Sequence, residues 1–378
     1  MCNGLAFWGG GEVEAGEHTA GVKCMSGSDG DDDGWSIKDL GDPNLSQSRP
    51  RVPRRFDPEI EEPLVELDVI LDPAAPRARP SGPLQIAFAG GKGGVGRSML
   101  VANTGIFLSR LGKRAVVVDL DPSGLNLHTY LGLPPMVLPP AALVRDETTP
   151  QVDRLPGTEL RLVRPSAPYW GSSATQLRRD TLRLARQLDV DVILYDLGGH
   201  TDEFNLDLYL QSDAGVSIAT PHPASMERLY AFLRTALYRH VLALDPATAG
   251  AARRALMGND ADEIVDLRGL LSKLGPTHSS VVAAIRRRVK TFRPNIVVNE
   301  CRRRDDRLML IGIVSALKRR WGVEAEALGT IDHDDAVIEA GIKRRPLLLA
   351  HPGTAASTAI ERLARRLMLS LEREVHVQ

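Results

Sequence analysis

The hydrophobic positions of this chain fall into a regular order only after residue 83. Short, nearly continuous apolar runs occur at 84–89, 114–120, 190–197, 214–220 and 294–299, with weaker ones at 159–163 and 327–331. Between them lie longer segments of helical period at 98–111, 173–188, 224–240 and 306–321. Strands alternating with helices predict an α/β fold: a mostly parallel sheet with helices on both faces. The runs point the same way, because a strand covered on both sides needs apolar residues at every position, as in Ala115, Val116, Val117 and Val118. A last helical period spans 355–375 and sets Ile360, Leu363, Leu367 and Leu371 on one side, with Arg362, Arg365 and Arg366 on the other. It reads as the final packing helix of the domain or as an amphipathic membrane-surface element. The apolar side lacks strong aromatics, which favours packing. Residues 246–290 read as a helical, charge-rich insertion, better explained as a solvated decoration than as a lid.

Residues 1–83 are rich in Gly, Ser, Asp, Arg and Pro and carry an acidic run at 29–33. Such a segment buries too little apolar surface to offset chain entropy and is expected to be disordered. The expected organisation is therefore a low-complexity region over 1–83 and one folded domain over 84–375. Met25 opens a more ordinary polar tail and is expected to be the start of translation. The net charge of −1 argues against a polyanionic partner for the chain as a whole. The three cysteines, Cys2, Cys24 and Cys301, form no C-x-x-C pair, which argues against a disulfide framework and a cysteine metal site. The chain has neither an apolar run of about 20 residues nor a basic-then-apolar leader, so a cytoplasmic protein is expected.

Three segments carry chemistry. Gly90-Gly91-Lys92-Gly93-Gly94-Val95-Gly96-Arg97-Ser98 follows a strand and opens a helix. Glycines allow backbone N–H groups to turn inward around phosphate oxygens, the helix start adds its positive dipole end, and Ser98 offers a hydroxyl to Mg²⁺. The second is Asp119-Leu120-Asp121 at the end of a strand, where ligands of such sheets bind. Asp119 suits a water of the Mg²⁺ shell, and Asp121 suits the orientation of an attacking water. The third is the apolar run ending in Asp196-Leu197-Gly198. Asp196 is a further contact to Mg²⁺ through water, and Gly198 lets its N–H approach a terminal phosphate.

The first of these resembles the deviant Walker A motif, K-G-G-x-G-K-[ST], of the MinD/ParA/FlhG superfamily of P-loop ATPases. The resemblance implies a three-layer P-loop fold that binds ATP and Mg²⁺, with Gly91, Lys92, Gly93, Gly94, Val95, Gly96, Arg97, Ser98 and Met99 around the phosphates. Lys92 matches the lysine that in this family reaches nucleotide in the opposite subunit, which implies a homodimer formed on ATP binding. With Lys92, Arg97 and Asp121 as its catalytic residues, the site would hydrolyse ATP. Asp196 to Gly198 resembles Walker B and the start of switch II, and Asn299 stands where the family contacts adenine. The details around Asn126-Leu127-His128 and over 220–230 look most like FlhG, implying control of flagella, division site or cargo through an unidentified regulatory protein, with the inner membrane or non-specific DNA as further contacts.

Two departures change the expectation. Arg97 stands where the family has lysine; its planar guanidinium is larger than a compact ammonium but can still pair with phosphate, even bidentately, so binding is expected and hydrolysis is what the change bears on. His200 stands where related chains often have glycine. Both leave open a nucleotide-gated scaffold with little turnover beside the weak ATPase. A third class, a carrier of metal clusters, is disfavoured by the cysteine count. Basic clusters at 286–290, 302–304, 318–320 and 343–345 read as solvated faces offset by acids. The Asp332-His333-Asp334-Asp335 run reads as a loop rather than an ion site.

Overall fold

Alternate residues of the central strands enter two different cores, which is why these strands are apolar throughout. In β1 (Leu84–Ala89), Ile86 and Phe88 join one core and Ala87 and Ala89 the other. In β2 (Ala115–Asp119), Val117 parts from Val116 and Val118 in the same way, as Leu194 does from Ile193 and Tyr195 in β5 (Val192–Asp196). This is the period of two expected of a doubly covered sheet.

The computed structural model describes residues 82–121, 125–135, 150–165, 174–257, 267–275 and 278–376. All lie in one unit, Leu67–Gln378. The Met25 start, the tail expected over 1–83 apart from its last two residues, and Pro122, Ser123 and Gly124 lie outside the described residues.

With β3 (Pro150–Arg154), β4 (Arg161–Pro165), β6 (Ala214–Ala219), β7 (Asn295–Cys301) and β8 (Glu326–Asp332), the strands form one sheet in the order β3-β4-β2-β5-β1-β6-β7-β8. Every neighbouring pair is parallel except β3 with β4. One face is covered by α1 (Arg97–Arg110), α2 (Leu127–Tyr130) and later helices. The other carries α3 (Ala174–Gln187), α4 (Glu203–Gln211) and α5 (Pro223–Leu242). α1 buries eleven of its fourteen residues, so it shows no polar stripe.

The insertion is three helices, α6 (Pro246–Met257), α7 (Leu267–Leu274) and α8 (Ser279–Lys290). It is less solvated than expected. Ala251, Ala252, Leu267, Leu270, Leu274, Ile285 and Val289 extend the core behind α5. After α9 (Arg304–Trp321) and β8 come α10 (Asp335–Ile342), α11 (Leu347–Ala350) and α12 (Ala355–His376). α12 packs on β8 and α1, and it buries the four apolar residues Ile360, Leu363, Leu367 and Leu371 that an amphipathic membrane element would have needed. Among the described residues no helix is long and apolar enough to cross a membrane.

Candidate functional site

The glycine loop leaves the centre of the sheet at Ala89 and turns into α1 at Arg97. Glycine is needed at Gly91, where a Cβ would stand 2.0 Å from the Arg228 carbonyl oxygen, and at two residues by backbone conformation. Gly94 and Gly96 have φ of 78° and 82°, the left-handed region that a side chain makes costly. Space separates the two. At Gly96 a Cβ would run into the side-chain amide of Asn299, whereas a Cβ on Gly93 or Gly94 would point into open space, with no atom beyond the chain neighbours within 4 Å of it. Val95 and Met99 are buried and pin the loop to the core, while Lys92, Gly93 and Gly94 are exposed and Ser98 is half-buried. The loop is therefore clamped at its helix end and open at its crown, as a cradle for phosphates must be.

Asn299, at the end of β7, donates from Nδ2 to the Val95 carbonyl at 2.9 Å. It braces the loop from the side of β7.

Three carboxylates converge beside the loop. Asp119 and Asp196 end neighbouring parallel strands and stand opposite each other in register. Asp121 follows two residues later. All three are buried, and so is Arg97, at 5% exposure. The Arg97 guanidinium lies between two of them: Nε donates to Asp196 Oδ1, and Nη2 donates to Asp121 Oδ2 at 2.7 Å. Burial works against the charge of Arg97, but Asp196 and Asp121 outweigh it and hold its pKa above the ordinary value. Asp119 goes the other way. Burial first, and then the charges of Asp196 and Asp121, push its carboxyl well above the usual carboxylate range, although the Leu127 and Asp121 N–H groups donate to it.

Two polar atoms of this cluster are buried without a hydrogen-bond partner, Arg97 Nη1 and Asp196 Oδ2. An orphaned donor and an orphaned acceptor on two paired side chains mark a place suited to a ligand. Nη1 suits a phosphate oxygen. Asp196 Oδ2, together with the Ser98 hydroxyl, suits the water shell of a divalent ion that relies on phosphates for its other contacts. Among the described residues no group of His, Cys, Asp and Glu side chains makes a ready ion site without a nucleotide, and Asp334 in the 332–335 run caps α10 instead.

The loop after β5 closes over the glycine loop. Gly198 has φ of 80°, and a Cβ there would stand 2.6 Å from Asp121 Oδ1. At Gly199 it would stand 2.7 Å from the Gly93 nitrogen. His200 is exposed, and its carbonyl accepts from Asn205 Nδ2 at 2.9 Å. Sequence reading missed what holds this loop. Arg178 of α3, itself buried, donates to Asp202 Oδ2 at 3.0 Å and to Asn205 Oδ1. Asp202 also caps α4 by accepting from the Asn205 N–H. Neither the cap residue nor its arginine partner was singled out in the sequence, since only the fold brings Arg178 to Asp202. An open cleft of about 530 Å³ remains beside this loop, lined by Gly91, Gly199, His200, Thr201, Asp202 and Arg228.

The profile of the CobQ/CobB/MinD/ParA nucleotide binding domain matches residues 86–347. An iron–sulfur cluster carrier protein of Bacillus subtilis is 30% identical over 150 residues, 38% of this chain and 41% of the carrier. The septum site-determining protein MinD of Synechocystis is 36% identical over 88 residues, 20% of this chain and 33% of that protein. The chain thus spans at most 41% of the length of either of these curated relatives. Among solved structures it is similar to a chain of the MinC:MinD cell division protein complex of Aquifex aeolicus, with a TM-score of 0.46 and 20% identity over 75% of this chain and 95% of that one. It is also similar to a ParA family ATPase of Chlorobium tepidum, with a TM-score of 0.45 and 18% identity over 76% of this chain and 99% of that one.

Proposed function

The chain belongs to the CobQ/CobB/MinD/ParA nucleotide-binding family, and from that premise we propose that it is an ATP-dependent dimerising switch with weak ATPase activity. The observation that carries this reading is the open crown of the glycine loop beside the buried Arg97–Asp121–Asp196 cluster with its two orphaned polar atoms. The N–H groups over 91–99 surround the phosphates. Ser98 would hold Mg²⁺ together with Asp119 and Asp196, and the ion would supply neutralisation of phosphate charge. Asp121 orients the attacking water. Gly198 brings its N–H to the terminal phosphate, and Asn299 Oδ1 accepts from the amino group of adenine. Lys92, exposed at the crown, reaches the nucleotide of a second copy. A regulatory protein reads the closed dimer, and hydrolysis resets it. The biological output is spatial: placement of flagella, division site or cargo from the cytoplasm, with membrane or DNA as an auxiliary contact.

Calorimetry with ATP and GTP, sedimentation with and without ATP, and phosphate release test the reading together. ATP is expected to bind in preference to GTP and to raise the sedimenting mass to that of a dimer. No heat with any nucleotide would end the proposal. The held position of Arg97 favours a second reading, a nucleotide-gated scaffold that turns over little, because a guanidinium committed to two carboxylates is slow to follow the transferred phosphate. Arg97→Lys is then expected to raise phosphate release, and a fall would remove that explanation. Cluster carriage, the role in the name of the Bacillus relative, is not adopted, because the chain has only three cysteines and no C-x-x-C pair.

A further inference from the structure

We propose that Arg97 is the resident cation of this site, so that the chain grips nucleotide phosphates without needing a divalent ion, which is left to serve hydrolysis. The inference rests on the nucleotide-binding reading above and deepens it. A phosphate group entering the crown of the loop approaches three buried carboxylates, and unlike charges must be placed between like ones before it can stay. A lysine at position 97 would bring three donors on one compact atom at the end of a flexible stem, without a rigid fork that fixes both carboxylates and holds a further donor apart from them. The guanidinium here has a planar fork of donors and uses it. Nε is on Asp196 and Nη2 on Asp121, at strand ends that the sheet holds side by side. At 5% exposure the arrangement is shielded from solvent, so its charge compensation is not screened away. What remains of the fork is Nη1, buried and without a hydrogen-bond partner. The same side chain therefore offsets part of the carboxylate charge and keeps one strong donor unused, available to an anion. Those are the two services a bridging ion would give to a bound phosphate.

The experiment is calorimetric titration of the full chain with ATP in Mg²⁺ buffer and again in EDTA, for the native chain and for Arg97→Lys. The native Kd is expected to change by less than about threefold between buffers, whereas Arg97→Lys, without the rigid fork and its spare donor, loses at least about tenfold in EDTA. Heat that appears for the native chain only with Mg²⁺ overturns this inference and leaves the nucleotide-binding reading intact. No heat in either buffer overturns both. A second measurement needs no nucleotide: Mg²⁺ alone is expected to leave the melting temperature of the native protein unmoved and to raise that of Arg97→Ala, whose carboxylates lack their cation. A native protein stabilised by Mg²⁺ alone, or an Arg97→Ala protein indifferent to it, would count against the resident-cation role.

Discussion

Burial decides the protonation of Asp119, and with it the direction in which pH moves stability. Its folded pKa lies above the unfolded value of about 3.9. A group raised in this way lends its full stability below the unfolded pKa and loses it as pH climbs through the folded one. Ionised Asp119 therefore weighs against the nucleotide-free fold at neutral pH. Asp119→Asn keeps an acceptor for the Leu127 N–H and is expected to melt higher than the native chain at pH 8. That gain should shrink toward pH 4, where the native carboxyl is already protonated. A pH series of thermal unfolding checks it, and a lower melting temperature for the variant at pH 8 would contradict the account. Gly199 offers a second test of single-residue geometry. A methyl there would press on the Gly93 nitrogen and the Lys92 carbonyl carbon, both backbone atoms that cannot swing aside. Gly199→Ala is expected to fold and to lose about tenfold in ATP affinity, roughly 1.4 kcal/mol, by calorimetry.

At the scale of elements, α4 carries the loop that closes over the phosphate site, and Asp202 holds its first turn. Asp202→Ala removes both the cap and one partner of the buried Arg178. It is expected to cost about 1–2 kcal/mol, with faster hydrogen exchange concentrated in the first turn of α4 and the loop at 198–202. Uniform acceleration across the sheet would place the damage elsewhere. This helix was not read from the sequence, although Asp202 is a good cap, because its apolar residues alternate too closely to show a helical stripe. β3 escaped notice for a related reason: it is an edge strand with exposed polar positions, and it is the one antiparallel member of a sheet otherwise recognised by continuous apolar runs. The central strands, α1 and α5 were legible because burial forced their composition. The phosphate loop and its three carboxylates were legible because each sits in a local pattern. The partners of Arg97 were not, being 24 and 99 residues away in sequence, where only the fold brings them together.

For the whole molecule, binding and assembly can be separated by mass action. A ligand that binds only the folded state stabilises it by about 2.7 kcal/mol at a hundred times its Kd. For a folded unit of this size that corresponds to a rise of roughly 5 °C in melting temperature. If ATP only filled a pocket in each copy, the rise would depend on ATP and not on protein concentration. If ATP also joins two copies, the melting temperature must climb with protein concentration, and only while ATP is present. Lys92 separates the two effects. Its side chain is exposed at the crown of the loop, away from the buried cluster that holds the phosphate-facing end of α1. Lys92→Ala is therefore expected to keep most of the ATP-induced rise and to lose its dependence on protein concentration, as followed by thermal unfolding across a hundredfold dilution series. Were the variant to lose the ATP response altogether, Lys92 would belong to the phosphate site of its own chain. Were it to keep the concentration dependence, contact between copies would have to run through other residues, with the cleft beside Arg228 the first surface to examine.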